Sequence, residues 1–232
     1  MSHTNKIIVA IDGFSSTGKS TVAKQLASKL GYIYVDTGAM YRMVALYAFD
    51  QGCISPDTFD VEKLITLLPK ITLNFVFNEK AGFAEAYLNG VNVESRIRTL
   101  EISNYVSRVS SISEVRSKLV DIQQKLGQDK GLVMDGRDIG TVVFPEAELK
   151  LFMNASAATR AQRRYDELLA KGESVTYEAI LENVTSRDAQ DTSRKDSPLV
   201  KAEDAIEIDN SDLTREAQFE LIYDLALKAM QA

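Results

Sequence analysis

Hydrophobic and polar positions along the chain follow two spacings, one typical of strands and one typical of helices. Residues 7–11 form a continuous apolar run, as expected for a strand buried on both faces of a sheet. From residue 22 to residue 30, apolar side chains recur every fourth position, which indicates a helix that ends at Gly31. A short strand at 33–35 and a helix at 40–48 follow, so the chain begins with βαβ alternation.

The block from about residue 57 to residue 98 has a different pattern. After a short helix, two segments at 71–77 and 84–93 carry the β-branched and aromatic residues of antiparallel strands. The pair Asn89-Gly90 interrupts the second segment and is a strong turn signal. This block is therefore predicted to be a small β-rich insertion outside the main sheet.

The second half of the chain returns to alternating helices and strands, without an internal repeat. Together with the first elements, this order predicts an α/β fold with a doubly wound parallel sheet flanked by helices. The predicted elements are a helix through 115–126, strands at 132–134 and 149–153, helices at 156–170 and 176–188, a strand at 205–208 and a helix from 214.

The composition narrows the range of partners. The 232 residues carry a formal net charge of −6, which argues against binding to nucleic acid or to an anionic membrane surface. The first residues lack the roughly 20 apolar positions of a membrane span, and the single cysteine, Cys53, excludes an internal disulfide. We therefore expect a cytoplasmic monomer with neither nucleic acid nor a membrane as a partner.

The strongest chemical signal is the segment Gly13-Phe14-Ser15-Ser16-Thr17-Gly18-Lys19-Ser20. It matches the pattern G-x-x-x-x-G-K-[ST] and lies between a predicted strand and a predicted helix. Its glycines let backbone N–H groups point inward, and the following helix adds the positive end of its dipole. Together with Thr21, this P-loop predicts binding of the phosphates of a nucleoside triphosphate. Lys19 would reach the β- and γ-phosphates, and Ser20 would ligate Mg²⁺. A Gly/Ser turn that matches by chance is the alternative.

A second polar cluster, Asp36-Thr37-Gly38-Ala39-Met40-Tyr41-Arg42, lies where the second strand ends and a helix begins. We expect it at the same sheet edge as the P-loop. Thr37 offers a hydroxyl at the helix start, and Arg42 offers a fork of donors suited to a second phosphate. A threonine cap followed by a solvated arginine explains the cluster equally well.

A third cluster, Met134-Asp135-Gly136-Arg137-Asp138-Ile139-Gly140-Thr141, follows an apolar strand. Asp135 resembles the acidic residue that holds Mg²⁺ in P-loop enzymes, directly or through water. Arg137 and Asp138 present a donor and an acceptor side by side. The alternative is an ordinary polar loop between a strand and a helix.

Arginines are concentrated between residues 160 and 194, although the chain as a whole is acidic. Arg160 and Arg164 share a helix face at positions i and i+4, where like charges repel unless an anion lies opposite. A lid that closes over phosphates would supply that anion and would exclude water. A solvated helix whose arginines pair with nearby acidic residues is the alternative.

These clusters together resemble the motifs of bacterial cytidylate kinases. The matching segments are the P-loop, residues 36–42, Asp135-Gly-Arg-Asp-Ile-Gly-Thr-Val-Val-Phe-Pro145 and Arg187-Asp-x-x-Asp191-x-x-Arg194. The resemblance runs from residue 6 to the C-terminus and implies a P-loop NTPase-type fold with a nucleoside monophosphate (NMP)-binding insertion and a helical lid. It implies a core of 1–36, 112–155 and 200–232, an NMP-binding region of about 37–111 and a lid of about 156–199.

The resemblance also implies a reaction, since family members use ATP and Mg²⁺ to phosphorylate CMP and dCMP. It implies that Arg42, Arg137 and Arg194 hold the acceptor phosphate with Thr37 beside it. It assigns the ribose to Arg187 and Asp191, and the base to Ser107, Arg116 and Asp138. It implies a catalytic set of Lys19, Arg137, Arg160, Arg164 and Arg194, with Ser20 and Asp135 on the metal.

The base contacts have a physical reason. Asp138 can accept from the amino group of cytosine, whereas uracil presents a carbonyl at that position and should be disfavoured. The sequence departs from relatives at Phe14, where many have proline, and at Gln190, where some carry another arginine. We expect Phe14 to have little effect, because the loop uses its backbone there, whereas Gln190 leaves the charge of the lid open.

Two other functions fit the P-loop. One is a small-molecule kinase of the same fold that acts on UMP, dTMP or shikimate. The other is a regulator that binds a single nucleotide as a switch. The arginine clusters favour a kinase over a switch, because a switch has no need of a second phosphate site.

Overall fold

The computed structural model describes residues 5–78, 83–170 and 172–231, which contain eight strands and eight α-helices. Residues 1–4, 79–82, 171 and 232 of the predicted core, insertion and lid lie outside the described residues. The strands are β1 (Ile8–Gly13), β2 (Ile33–Asp36), β3 (Leu73–Asn78), β4 (Phe83–Leu88), β5 (Val91–Asn92), β6 (Leu132–Asp135), β7 (Leu149–Asn154) and β8 (Ile206–Asp209). The helices are α1 (Lys19–Leu30), α2 (Thr37–Asp50), α3 (Val61–Leu67), α4 (Leu100–Ser110), α5 (Ser113–Leu126), α6 (Ala157–Ala170), α7 (Tyr177–Ser193) and α8 (Arg215–Ala229).

The chain divides into two compact units. Unit 1 comprises residues 1–35 and 126–232, and unit 2 comprises residues 36–125. No helix in the described part of the chain is long and apolar enough to cross a membrane. The functional division into a core, an NMP-binding region and a lid stays a prediction.

Unit 1 is built on a five-stranded sheet in the order β2-β6-β1-β7-β8. The central strand β1 pairs in parallel with β6 and with β7, and β7 pairs in parallel with β8. With a paired strand on each side, β1 lies in the middle of the sheet. Its Val9, Ala10 and Ile11 are completely buried, which explains the unbroken apolar run. The core continues into one face of α1 and of α8. The predicted doubly wound parallel fold is confirmed.

Unit 2 combines helices with a small antiparallel sheet in the order β3-β4-β5. The turn between β4 and β5 consists of Asn89 and Gly90, which both have positive φ (50° and 81°), and places Leu88 opposite Val91. The predicted β-rich insertion is therefore confirmed. The helix α4 was not predicted, although its buried Ile102, Tyr105 and Val109 recur at helical spacing.

The register of unit 1 brings two loops to one edge of the sheet. Ile11 of β1 lies opposite Asp135, the last residue of β6. The P-loop follows β1, and the loop that carries Arg137 and Asp138 follows β6, ahead of a π-helical turn at Ile139–Val143. Since parallel strands end at the same edge, these two loops are neighbours.

The turn that begins the P-loop predicts a measurable requirement for glycine. Gly13 has φ 140°, and a Cβ there would lie 2.0 Å from the carbonyl oxygen of Met153 on the neighbouring strand β7. We expect Gly13→Ala to lower the free energy of unfolding by about 3 kcal/mol, because the backbone of a central strand would have to move.

Urea denaturation measures this change. The matched control is Gly31→Ala at the end of α1, where φ is 68° and no atom lies within 4 Å of the added Cβ. That variant should lose about 1 kcal/mol, the cost of the left-handed conformation alone. Equal losses for both variants would contradict the steric argument.

Candidate active site

The P-loop has the geometry of an anion cradle. Positive φ angles at Gly13, Ser16 and Gly18 curve the backbone, and α1 begins at Lys19 without a side-chain cap. The Thr17 hydroxyl donates to the carbonyl oxygen of Phe14 at 3.0 Å. With no side chain capping α1, its first N–H groups are available to an anion, as the sequence motif predicted.

The side chain of Lys19 is held inside the P-loop by two hydrogen bonds. Its Nζ donates to the carbonyl oxygen of Phe14 and, at 3.3 Å, to the Thr17 hydroxyl. Burial, followed by the positive charge of Arg137, lowers the pKa of Lys19 to about 7. An arriving phosphate would favour the charged form and raise that pKa again.

Asp12 joins the P-loop strand to the loop after β6. Its two carboxylate oxygens accept the backbone N–H groups of Ile139 at 2.8 Å and Gly140 at 2.7 Å. Burial raises the pKa of Asp12 to about 6, against the effect of these two hydrogen bonds. The sequence reasoning missed this residue, although a charge at the end of an apolar strand was the available signal.

Ser20 and Asp135 form the pair that the sequence predicted for Mg²⁺. The Ser20 hydroxyl donates to Oδ2 of Asp135 at 2.8 Å, and the Tyr34 hydroxyl donates to Oδ1 at 2.7 Å. Tyr34 was not predicted as a site residue. The pair offers hard oxygen ligands next to the phosphate cradle, which fits Mg²⁺ because this ion takes few protein ligands and completes its shell with water and phosphate oxygens.

The third and fourth sequence clusters meet at Asp191. Nε of Arg137 donates to Oδ2 of Asp191 at 2.7 Å, and Nη1 of Arg194 lies 3.7 Å from Oδ1. Burial alone would raise the pKa of Asp191, but the charges of Arg137, Arg187 and Arg194 hold it below its usual value. Three arginines that the sequence predicted to bind the acceptor nucleotide thus act on one carboxylate.

The arginines of α6 each have a protein partner. Arg164 pairs with Glu167 at the surface, which matches the alternative of a solvated helix. Arg163 donates to the side-chain and main-chain oxygens of Asn210 at 3.0 and 2.7 Å. Arg160 is only 3% exposed and forms a bidentate pair with Asp188 of α7. A protein carboxylate, which sequence reasoning missed, is therefore the anion opposite Arg160.

In unit 2, Asp36 organises the second sequence cluster. Its carboxylate caps α2 by accepting the N–H of Ala39 at 2.9 Å, and it pairs with Arg42 at 3.1 Å and with Arg98 at 2.9 Å. The alternative of a Thr37 cap with a solvated Arg42 is therefore wrong. Burial alone would raise the pKa of Asp36, but the two guanidinium groups lower it. Arg98, which also pairs with Glu94, had no sequence signal.

The three residues predicted to read the base lie on different elements. Arg116 of α5 is buried in unit 2, with its guanidinium 5.6 Å from the centroid of the Tyr41 ring and Nη1 donating to the carbonyl oxygen of Ser110. Ser107 is half-buried on α4, in the same unit. Asp138 is buried in unit 1, directly before the π-helical turn.

Known proteins are similar to this sequence along almost its whole length. A cytidylate kinase from Flavobacterium psychrophilum is 64% identical over 220 residues, which cover 95% of this chain and 97% of the relative. A cytidylate kinase from Bacteroides fragilis is 54% identical over 227 residues, which cover 97% of this chain and 99% of the relative.

Similarity to solved structures is weaker. The crystal structure of a shikimate kinase from Bacteroides thetaiotaomicron covers 98% of this chain and all of the other, with 13% identity and a TM-score of 0.45. This similarity carries no argument about the substrate. A family model named cytidylate kinase, in contrast, matches residues 9–228. The P-loop and the arginines gathered at Asp191 are consistent with this match over nearly the full length. The chain belongs to the cytidylate kinase family.

Proposed function

We propose that this protein transfers the γ-phosphoryl group of ATP to CMP or dCMP, giving CDP or dCDP and ADP. The observation that carries the proposal is the proximity of two cationic groups in unit 1. Arg137, which lies among the arginines at Asp191, is close enough to Lys19 to lower its pKa. A P-loop lysine beside a second arginine group is suited to two phosphates that react with each other.

ATP occupies the P-loop in this proposal. Backbone N–H groups of residues 13–21 surround its phosphates, and Lys19 binds the β- and γ-phosphates. Ser20, and Asp135 directly or through water, would hold the Mg²⁺ that binds with ATP, and this ion would neutralise charge on the phosphates. In the described part of the chain, no group of three or more His, Cys, Asp or Glu residues could hold a metal ion by itself. An ion that arrives with the triphosphate therefore suits this site.

The acceptor nucleotide is assigned to residues of the second, third and fourth sequence clusters, together with Ser107 and Arg116. Arg42, Arg137 and Arg194 hold its phosphate with Thr37 beside them, and Arg187 and Asp191 contact the ribose. Ser107, Arg116 and Asp138 read the cytosine edge. Support comes from the arginines at Asp191 and from the Asp36 carboxylate, which orients Arg42 at the start of α2. A phosphate dianion can compete for these guanidinium groups because charge-assisted bonds to phosphate are strong.

Two lid arginines complete the proposed catalytic set. Arg164 is paired at the surface, where an ion pair contributes little free energy to stability. Its side chain can therefore turn toward the transferred phosphoryl group with little loss of free energy. Arg160 would contribute from its buried position beside the P-loop. A closed lid would exclude water and so limit hydrolysis of ATP.

The chemistry needs no strong general base. The second pKa of the acceptor phosphate is about 6, so its attacking oxygen is largely ionised at neutral pH. Catalysis then rests on alignment and on neutralising charge, which explains a site made of arginine and lysine rather than histidine. We place this reaction in the cytoplasm, in line with the single cysteine, and assign it to a monomer.

Substrate choice tests the proposal. In a coupled assay of ADP release, CMP and dCMP should give higher kcat/KM values than UMP, dTMP or shikimate. Asp138→Asn should reduce the preference for CMP over UMP at least about tenfold, because an amide can donate to the uracil carbonyl. Asp129→Asn, a change at an exposed position, should leave the preference unchanged. A wild-type preference for any other acceptor would refute the proposed function.

Removal of the P-loop lysine should nearly abolish turnover. We expect Lys19→Ala to lower kcat roughly a thousandfold, because the charge that stabilises the transferred phosphoryl group is lost. Single-turnover measurements at saturating ATP and CMP separate this effect from weaker binding. Retention of most activity would show that Lys19 has no catalytic role.

The lowered pKa of Lys19 predicts proton uptake when ATP binds. At pH 8 the free protein holds this amine mostly neutral, and the triphosphate raises its pKa, so about one proton should be taken up per ATP. The affinity for ATP should fall as the pH rises above about 7. Calorimetry in two buffers of different ionisation enthalpy measures the uptake, and Lys19→Arg, which stays charged, should show none. Equal heats in both buffers for the wild type would contradict the prediction.

A further inference from the structure

The guanidinium of Arg160 connects three parts of unit 1. Its Nε donates to the carbonyl oxygen of Ala155, at 2.9 Å, just before α6. Nη1 and Nη2 donate to the two carboxylate oxygens of Asp188 on α7, at 3.0 and 2.6 Å. Nη1 also lies 3.3 Å from the carbonyl oxygen of Ser15 in the P-loop. All three nitrogens are thus engaged, and the fork geometry fixes the direction of the group.

Phe14 covers the face of this guanidinium. The Cζ atom of Arg160 lies 5.1 Å from the centroid of the Phe14 ring, within the range of a cation–π interaction. The same ring meets Phe152 of β7 edge to face, with 6.1 Å between centroids. We expected Phe14 to have little effect, because the loop uses its backbone there. The structure instead gives the side chain contacts with a strand and with α6.

Asp188 lies among the residues of α7 that are proposed to bind the acceptor nucleotide. It directly follows Arg187, and Asp191 is one helical turn further along. A helix is stiff over one turn, so a contact that fixes Asp188 also fixes the position of its neighbours. The contacts therefore run from the P-loop through Phe14 and Arg160 to Asp188, and from there to the residues proposed to hold the ribose.

We propose that Phe14, Arg160 and Asp188 form a positioning link that couples occupation of the P-loop to binding of the nucleoside monophosphate by α7. This inference rests on the proposed function. ATP orders the P-loop backbone around Ser15, and the link transmits that order to α7, so CMP binds more tightly when the P-loop is filled. Because coupling between two sites is reciprocal, CMP strengthens ATP binding by the same factor.

The test measures coupling rather than activity. The dissociation constant of CMP is determined by calorimetry with and without a saturating, non-hydrolysable ATP analogue, and the ratio of the two constants is the coupling factor. The wild type should give a factor of at least about five. In Asp188→Asn and in Phe14→Leu the factor should fall toward 1, because each change breaks one contact of Arg160. The CMP constant without the analogue should change by less than about threefold.

Two controls make the outcome specific. Glu182→Gln removes a charge from an exposed position of the same helix and should keep the wild-type factor. The double variant Phe14→Leu/Asp188→Asn should give the same factor as either single variant, because both act through Arg160. Ligand-free thermal unfolding of every variant distinguishes a loss of coupling from a general loss of stability.

Each failure has a distinct meaning. A wild-type protein that binds no CMP refutes the proposed function itself. A wild type that binds CMP with a factor near 1, or an Asp188→Asn variant that keeps the full factor, overturns the link and leaves the proposed function intact. Additive losses in the double variant would also overturn the link, because they would show that Phe14 and Asp188 act independently.

Discussion

The arrangement of the P-loop and the residues around it depends on the parallel pairing of β1 with β6. This pairing brings the P-loop and the loop with Arg137 to one edge of the sheet, and Asp12 then holds the second loop through two buried backbone hydrogen bonds. A buried N–H without an acceptor is costly, so these two bonds leave the loop little freedom. Ser20 and Asp135 meet because the same register ends β6 beside the P-loop.

A second constraint is the repulsion between clustered arginines. Carboxylates offset this repulsion by forming ion pairs. Asp191 pairs with arginines of the third and fourth clusters, Asp188 pairs with Arg160, and Asp36 pairs with Arg42 and Arg98. Buried guanidinium groups need such partners, because an unpaired buried charge is costly. The carboxylates therefore orient the arginines before a phosphate arrives, which lowers the entropy lost on binding.

The partners divide the arginines into two kinds. Arg160 has all three nitrogens engaged and shares its carboxylate with no other arginine in the described part of the chain, so its contacts connect α6, α7 and the P-loop. Arg137 and Arg194 share the carboxylate of Asp191, and the charges of Asp135 and Asp12 also act on Arg137. A shared carboxylate leaves these arginines better able to bind the phosphate proposed for this site.

The sequence alone determined the P-loop, the alternation of strands and helices, the β-rich insertion and the family resemblance, because each depends on residues close together in the chain. It also predicted chemical roles for the charged clusters, and those roles stay predictions. Only the tertiary structure decided which groups meet: Asp12 with the backbone at Ile139, Tyr34 with Asp135, and Arg160 with Phe14 and Asp188. These partners lie far apart in the chain or on different elements, and their contacts follow from strand register and helix packing, which local patterns do not encode.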